Sequence, residues 1–374
     1  MSIKDKVIVE NPVLWDNFKK CTADITEAIL EENIGGKMYS YKVKHLSVEY
    51  IEPYMIFIIF CKLKGFDYSY KESDKTLYDI SFRYQNYYCV FSYEKLGLIL
   101  TTEIQEENVI DELFKKLSSA GRITNLLLKS VIEEAINDGN FTLENNSGLL
   151  RQRYLYFREK VKELKPISHE LMSLRDIEKH KEVIFNTQSM LDAYFSFHEN
   201  ILILLLPFKK FNKSLEKITD LHSANWTKKY NRIFNPHDNP VYMHWFDKLK
   251  YLKELRNKYA HGGFEKKKGS FYPHIEGVGV IPVQPSESDR GIYSILPVND
   301  IDFDEICKII DEYESFLFGS DWKRPLAILK SGLDIRYDDE YIKRLTEAIK
   351  SEENLELFLT YEFKLFDHEV NMDW

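Results

Sequence analysis

Arg256, Asn257 and His261 stand close together in the stretch Leu249-Lys-Tyr-Leu-Lys-Glu-Leu-Arg256-Asn257-Lys-Tyr-Ala-His261-Gly-Gly. Their types suit phosphodiester chemistry. An imidazole moves a proton near neutral pH. A guanidinium clamps a phosphate and holds the charge of a pentavalent transition state. An amide can orient either one. The trio has the groups needed to cut RNA without a metal.

Such chemistry requires an element that holds the three together. Leu249, Leu252, Leu255 and Tyr259 recur at three- and four-residue spacings, which predicts an amphipathic helix. Gly262 and Gly263 follow and supply the left-handed positions that end helices. On that helix Asn257 and His261 stack on one face, four residues apart. Arg256 sits about 100° from Asn257, within reach of the same spot. A helix C-terminus favours a protonated imidazole, so His261 can act as acid as well as base.

The run Arg256-Asn257-Lys258-Tyr259-Ala260-His261 resembles the motif of the HEPN family: Arg, a polar residue, three to five more residues, then His. The resemblance implies a helical bundle and a metal-independent ribonuclease whose site forms where two HEPN domains meet. It covers residues 149–263 and not the rest of the chain. Some HEPN domains carry an acidic residue on an earlier helix that faces the motif, and by this resemblance Glu199 could orient Arg256 or His261.

The spacing recurs twice elsewhere. Arg175 and His180 have it in Arg-Asp-Ile-Glu-Lys-His, with a polar second residue, and are a real competitor. Arg232 and His237 have it in Arg-Ile-Phe-Asn-Pro-His, but with an apolar second residue and with Pro236 inside the would-be helix. Context favours Arg256, which closes a helix that follows a long apolar one. The bland alternative is a salt-bridging arginine and a helix-capping histidine.

A chain of 374 residues allows about two domains. Hydrophobic residues at 44% and charged ones at 30% are ordinary for a soluble globular protein. The net charge of -9 argues against a protein that coats nucleic acid generally, though a nuclease can use a local basic patch. Lys258 and the run Lys266-Lys267-Lys268 beside the motif could hold RNA phosphates. Cys21, Cys61, Cys89 and Cys307 are scattered without a CxxC pair. They suggest neither zinc nor a disulfide framework, and no metal or other cofactor is expected. Tyr54 to Cys61 and Ile201 to Pro207 are apolar but too short to span a bilayer. With no apolar signal core after Met1, the expected location is cytoplasmic.

Along the chain, helices are expected over 13–33, over 46–63 with a break at Pro53, and over 110–138 with an interruption at Gly121. Tyr78 to Tyr84 and Tyr87 to Tyr93 alternate around Gln85-Asn86, with a third strand over 96–102. A turn-rich run from Asp138 to Gly148 marks a soft boundary. Helices follow over 149–164, 171–206, 223–233 and 240–259. The core of the second, from Met190 to Phe208, is apolar nearly all round yet carries Asp192, His198, Glu199 and Asn200, which need partners. For His198 that points to ordinary buried hydrogen bonding. Strands over 271–283 and 291–298, a helix over 302–318 and two helices over 337–366 complete the pattern.

The sequence thus predicts a mainly α protein. Residues 1–148 form an N-terminal α+β region of unknown role. Residues 149–320 form the HEPN-like helical domain with a β-hairpin after the motif, and residues 321–374 form a helical extension. The expected activity is metal-independent cleavage of RNA by 2′-OH attack, in a prokaryotic toxin or anti-phage defence role. A homodimer is expected, because one motif offers a single imidazole whereas the reaction needs an acid and a base. The rival is a non-catalytic HEPN-like module that binds RNA, a nucleotide or a regulatory protein partner.

Overall fold

The computed structural model describes residues 2–28, 37–46, 51–71, 75–164, 174–209, 216–260, 274–280 and 303–371. The chain is mainly α and divides into two compact units. Residues 1–138 and 360–374 form the first, and residues 139–359 form the second.

In the first unit, α1 (Ile3–Glu10) opens on a capping box in which Ser2 accepts from the Asp5 backbone N–H and Asp5 reaches back. α2 (Pro12–Cys21) has proline at its first turn, where no N–H is needed. The helix expected to reach residue 33 stops at Cys21, and Ile25–Glu27 is a strand, β1. Here tertiary pairing wins. The side chain of Ile25 is buried, and its backbone pairs with Tyr84.

β2 (Tyr39–Lys42) precedes α3 (Pro53–Phe57), which continues as a wider, π-type helix over Ile58–Lys64. Pro53 therefore starts this helix rather than breaking it. β3 (Ser69–Lys71), β4 (Thr76–Tyr84), β5 (Tyr87–Glu94) and β6 (Gly97–Thr102) complete an antiparallel sheet of order β1-β4-β5-β6-β2, with β3 also on β4. The expected Gln85-Asn86 turn joins β4 to β5, with Gln85 in the left-handed region.

α4 (Glu107–Leu127) and α5 (Lys129–Asn137) follow. The helical run breaks at Leu128, not at Gly121, which sits inside α4 with the Met55 side chain at ordinary contact distance, 3.5 Å from where a Cβ would stand. Phe60, Phe82, Phe91 and Phe114 join helices and sheet in one core, with neighbouring ring centroids 4.9–6.1 Å apart.

The second unit contains β7 (Thr142–Leu143), α6 (Ser147–Leu164), α7 (Leu174–Leu204), α8 (Ile218–His222), α9 (Trp226–Phe234) and α10 (Pro240–Ala260). After these come β8 (His274–Ile275), β9 (Gly279–Val280), α11 (Phe303–Gly319), α12 (Lys323–Lys330), β10 (Ile335–Arg336) and α13 (Asp339–Ala348). α14 (Glu352–Asn371) begins in this unit, and its residues from 360 onward group with the first.

The single strand expected over 271–283 is a tight hairpin in its described part, turning through Gly277 and Gly279 at positive φ. The strand expected over 291–298 lies outside the described residues. Residues 321–359, expected as a separate extension, belong to the second unit. Asn145 Nδ2 donates to the carbonyls of Leu329 (2.7 Å) and Leu333 (3.0 Å), β7 pairs with β10, and Tyr337 Oη donates to the Ile203 carbonyl. The same bonds place residues 139–148 with the second unit rather than with the N-terminal region.

Candidate functional site

α10 is anchored by Trp245, Leu249 and Leu252, all buried. Arg256 lies one turn beyond Leu252 and two beyond Leu249, so it leaves the helix on the inward stripe and not on the solvent side. There it meets α7. Arg256 Nε donates to Asp192 Oδ1 at 2.5 Å, with both side chains partly exposed. Its Nη1 also reaches Asn257 Oδ1 at 3.4 Å. Among the described residues, Nη2 has no hydrogen-bond partner. The guanidinium is thus held chiefly by its inner nitrogen, and the side chain stays 35% exposed.

The acid that meets Arg256 is therefore Asp192, not Glu199. Glu199 stands two turns further along the same face of α7, where its Oε2 accepts from Lys229 Nζ of α9 at 2.9 Å. Lys229 is buried, 7% exposed, so that pair is sheltered. Between the two pairs Lys253 of α10 lays its ammonium over the Trp226 ring, 5.2 Å from the centroid. Burial pushes the Lys253 ammonium pKa below its usual range, the positive neighbours Arg256 and Lys229 push the same way, and Glu199 opposes them. Three cations and two carboxylates from three helices thus form one cluster, with an excess of one positive charge in a chain whose net charge is -9.

Asp192, Lys229 and Lys253 were not assigned a role by the sequence. The signal was present in part: Asp192, Ser196 and Glu199 fall at i, i+4 and i+7, one polar stripe on an otherwise apolar helix.

His261, Lys266, Lys267 and Lys268 lie outside the described residues, as does the side chain of Lys258 on α10. The competing Arg175 and His180 are on α7, with side chains outside the described residues. At the third match α9 ends at Phe234. Asn235 turns the chain left-handed, and Arg232 Nε and Nη2 are engaged by Glu216 at 2.8–3.1 Å.

His198 belongs to the core. Trp226 Nε1–H donates to its Nδ1 at 3.0 Å, so the ring proton is on Nε2, which donates to Tyr313 Oη at 2.9 Å. Burial pushes its pKa down to about 3, and it stays neutral in any physiological medium. The basic start of α6 is also engaged internally: Arg151 pairs with Glu314, and Arg158 grips Asp311 with two nitrogens.

Among the described residues no group of three or more metal-ligating side chains comes together, and no helix is long and apolar enough to cross a membrane. No protein-family model, curated protein or solved structure matches the chain.

Proposed function

We propose that the second unit is a metal-independent endoribonuclease of HEPN type, acting as a toxin or in defence against phage. The observation that carries this reading is the Arg256 guanidinium, anchored through Nε by Asp192 while its side chain stays 35% exposed and Nη2 has no hydrogen-bond partner among the described residues. That posture suits two-point recognition of a phosphate. The local cationic excess, with Lys253 and Lys229 behind it, favours an anionic substrate.

In the proposed reaction a 2′-oxygen attacks the adjacent phosphorus, the 5′-oxygen leaves, and a 2′,3′-cyclic phosphate remains. Arg256 holds the phosphate, Asn257 orients the site, and His261, directly after α10, takes the 2′-OH proton or protonates the leaving oxygen. A second copy across a two-fold axis supplies the other proton-transfer group.

The test is a panel of variants on an RNA substrate. Arg256→Ala and His261→Ala are expected to lose at least roughly a hundredfold in cleavage rate with an unchanged far-UV circular dichroism spectrum. Arg175→Ala and His180→Ala are expected to cleave as the parent does. The opposite pattern moves the site to the Arg175 pair. Mixing Arg256→Ala with His261→Ala chains should partly restore activity if two copies share one site.

One observation favours a second reading. Arg256 is already paired with a carboxylate, and Glu199 adds another nearby. A module that binds RNA, a nucleotide or a protein without cutting fits that balance, and it would show binding with no cleavage.

A further inference from the structure

The first unit holds a cleft that the cleavage chemistry does not use. Tyr54, Phe57, Tyr68, Tyr70, Tyr78 and Tyr93 line a cavity of about 450 Å³, together with Leu77. That volume lies within the range of small-molecule sites. The rings are set by the fold. Tyr54 and Phe57 come from α3, Tyr68 and Tyr70 from the β3 segment, Tyr78 from β4 and Tyr93 from β5. Tyr78 Oη donates to the Pro53 carbonyl at 2.7 Å and ties β4 to the start of α3. Phe57 then meets Tyr68 edge-on at 5.0 Å and Tyr78 at 5.4 Å, and Tyr78 meets Tyr93 at 5.8 Å.

These rings are not all spent on packing. Tyr54 is 61% exposed, Tyr68 49% and Tyr70 48%. Large rings that fold into a cavity yet keep half their surface open supply flat apolar faces for a ligand to stack on. The hydroxyls of Tyr54 and Tyr68 have no hydrogen-bond partner among the described residues, so they can serve the polar edge of such a ligand.

Charge selects among the flat or apolar ligands that could enter. The lining carries no charged side chain among the described residues. At its margin the exposed Lys62 holds its ammonium 5.2 Å from the centre of the Phe57 ring. A cationic ligand, such as a methylated ammonium, would meet that like charge and find no carboxylate among the described lining residues. A planar ligand that bears an anion would gain from it.

We propose that this cleft binds the base of a nucleotide, stacked on the tyrosine faces, with Lys62 taking the phosphate. The base comes either from a free mononucleotide or from an unpaired residue of an RNA strand. The site is independent of the cleavage reaction assigned to the second unit.

Isothermal titration of the full chain tests it. The probes are AMP, GMP, CMP and UMP, the matching nucleosides, and a single-stranded 2′-O-methyl decanucleotide, which cannot be cut by 2′-OH attack. Binding of at least one nucleotide or of the strand is expected, and whichever binds more tightly identifies the source. Tyr54→Ala and Tyr68→Ala remove exposed rings and leave the core intact. Each is expected to weaken binding about five- to hundredfold, the range for loss of one base–aromatic stack. Tyr54→Phe keeps the stack and should bind within about threefold of the parent. Lys62→Ala should weaken a nucleotide and leave its nucleoside unchanged.

The proposal is overturned if no nucleotide or strand binds at millimolar concentration. It is equally overturned if Tyr54→Ala and Tyr68→Ala bind as the parent does, or if only a proline-rich or trimethyl-lysine peptide occupies the cleft.

Discussion

Two faces of α7 place polar groups in opposite settings. On one, His198 lies wholly buried, its ring nitrogens taken by Trp226 and Tyr313. On the other, Asp192 carries a partly exposed ion pair with Arg256, and Glu199 a more sheltered one with Lys229. His198 and Glu199 are adjacent in sequence and about 100° apart around the helix. The buried imidazole has no spare nitrogen and cannot titrate near neutral pH, so its contribution is to stability. On the charged face Arg256 and Asp192 stay partly exposed, which is the setting the proposed phosphate contact requires. A histidine's type indicates little until the face it occupies is known.

Substitutions at the two faces should separate these roles. The largest effect on stability is expected at His198. Replacing it with Ala leaves the Trp226 N–H without an acceptor and opens a cavity, at a cost of roughly 3–5 kcal/mol in urea unfolding. A loss below about 1 kcal/mol would show that the two hydrogen bonds are not maintained in solution.

Glu199→Ala comes next, because it leaves the buried Lys229 unpaired. About 1–3 kcal/mol should be lost, discounted because Glu199 is itself a third exposed. Lys229→Met alongside Glu199→Ala should recover most of that loss, and a double variant no more stable than Glu199→Ala alone would contradict the pairing.

Acid should act through His198 as well. Its folded pKa of about 3 lies below its ordinary 6.5, so between those values the unfolded chain binds a proton that the folded chain refuses. Stability from this group is complete above pH 6.5 and falls as the pH drops toward 3, by up to about 1.4 kcal/mol per pH unit. His198→Gln should make the stability-against-pH slope shallower by about one proton, and identical slopes would sink the assignment. The smallest effect is expected at Asp192→Ala. The half-open pair with Arg256 should contribute less than about 1 kcal/mol to stability, even where the same change misdirects Arg256 and slows cleavage.

What was legible in the sequence follows the range of the forces involved. The β4–β5 hairpin was visible because alternation and a two-residue turn are local, and so was α10 because its leucines repeat at helical spacing. β1 was not: three residues in a helix-like context became a strand only through pairing with β4. The place of residues 321–359 was hidden for the same reason, since bonds from Asn145 span more than 180 residues. The charged cluster was half legible. Two acids seven residues apart marked one face of α7, but which of them meets Arg256, 64 residues beyond Asp192, depends on how α7 and α10 cross.

Arg256 is proposed to serve a cleavage reaction that needs no metal. Purified protein incubated with total RNA in excess EDTA tests it most directly, with the new ends analysed chemically. Cleavage that persists in EDTA, leaves 2′,3′-cyclic phosphates and disappears in Arg256→Ala is the predicted result. An absence of cleavage under any condition, or cleavage that requires added Mg²⁺ or Mn²⁺, would contradict it.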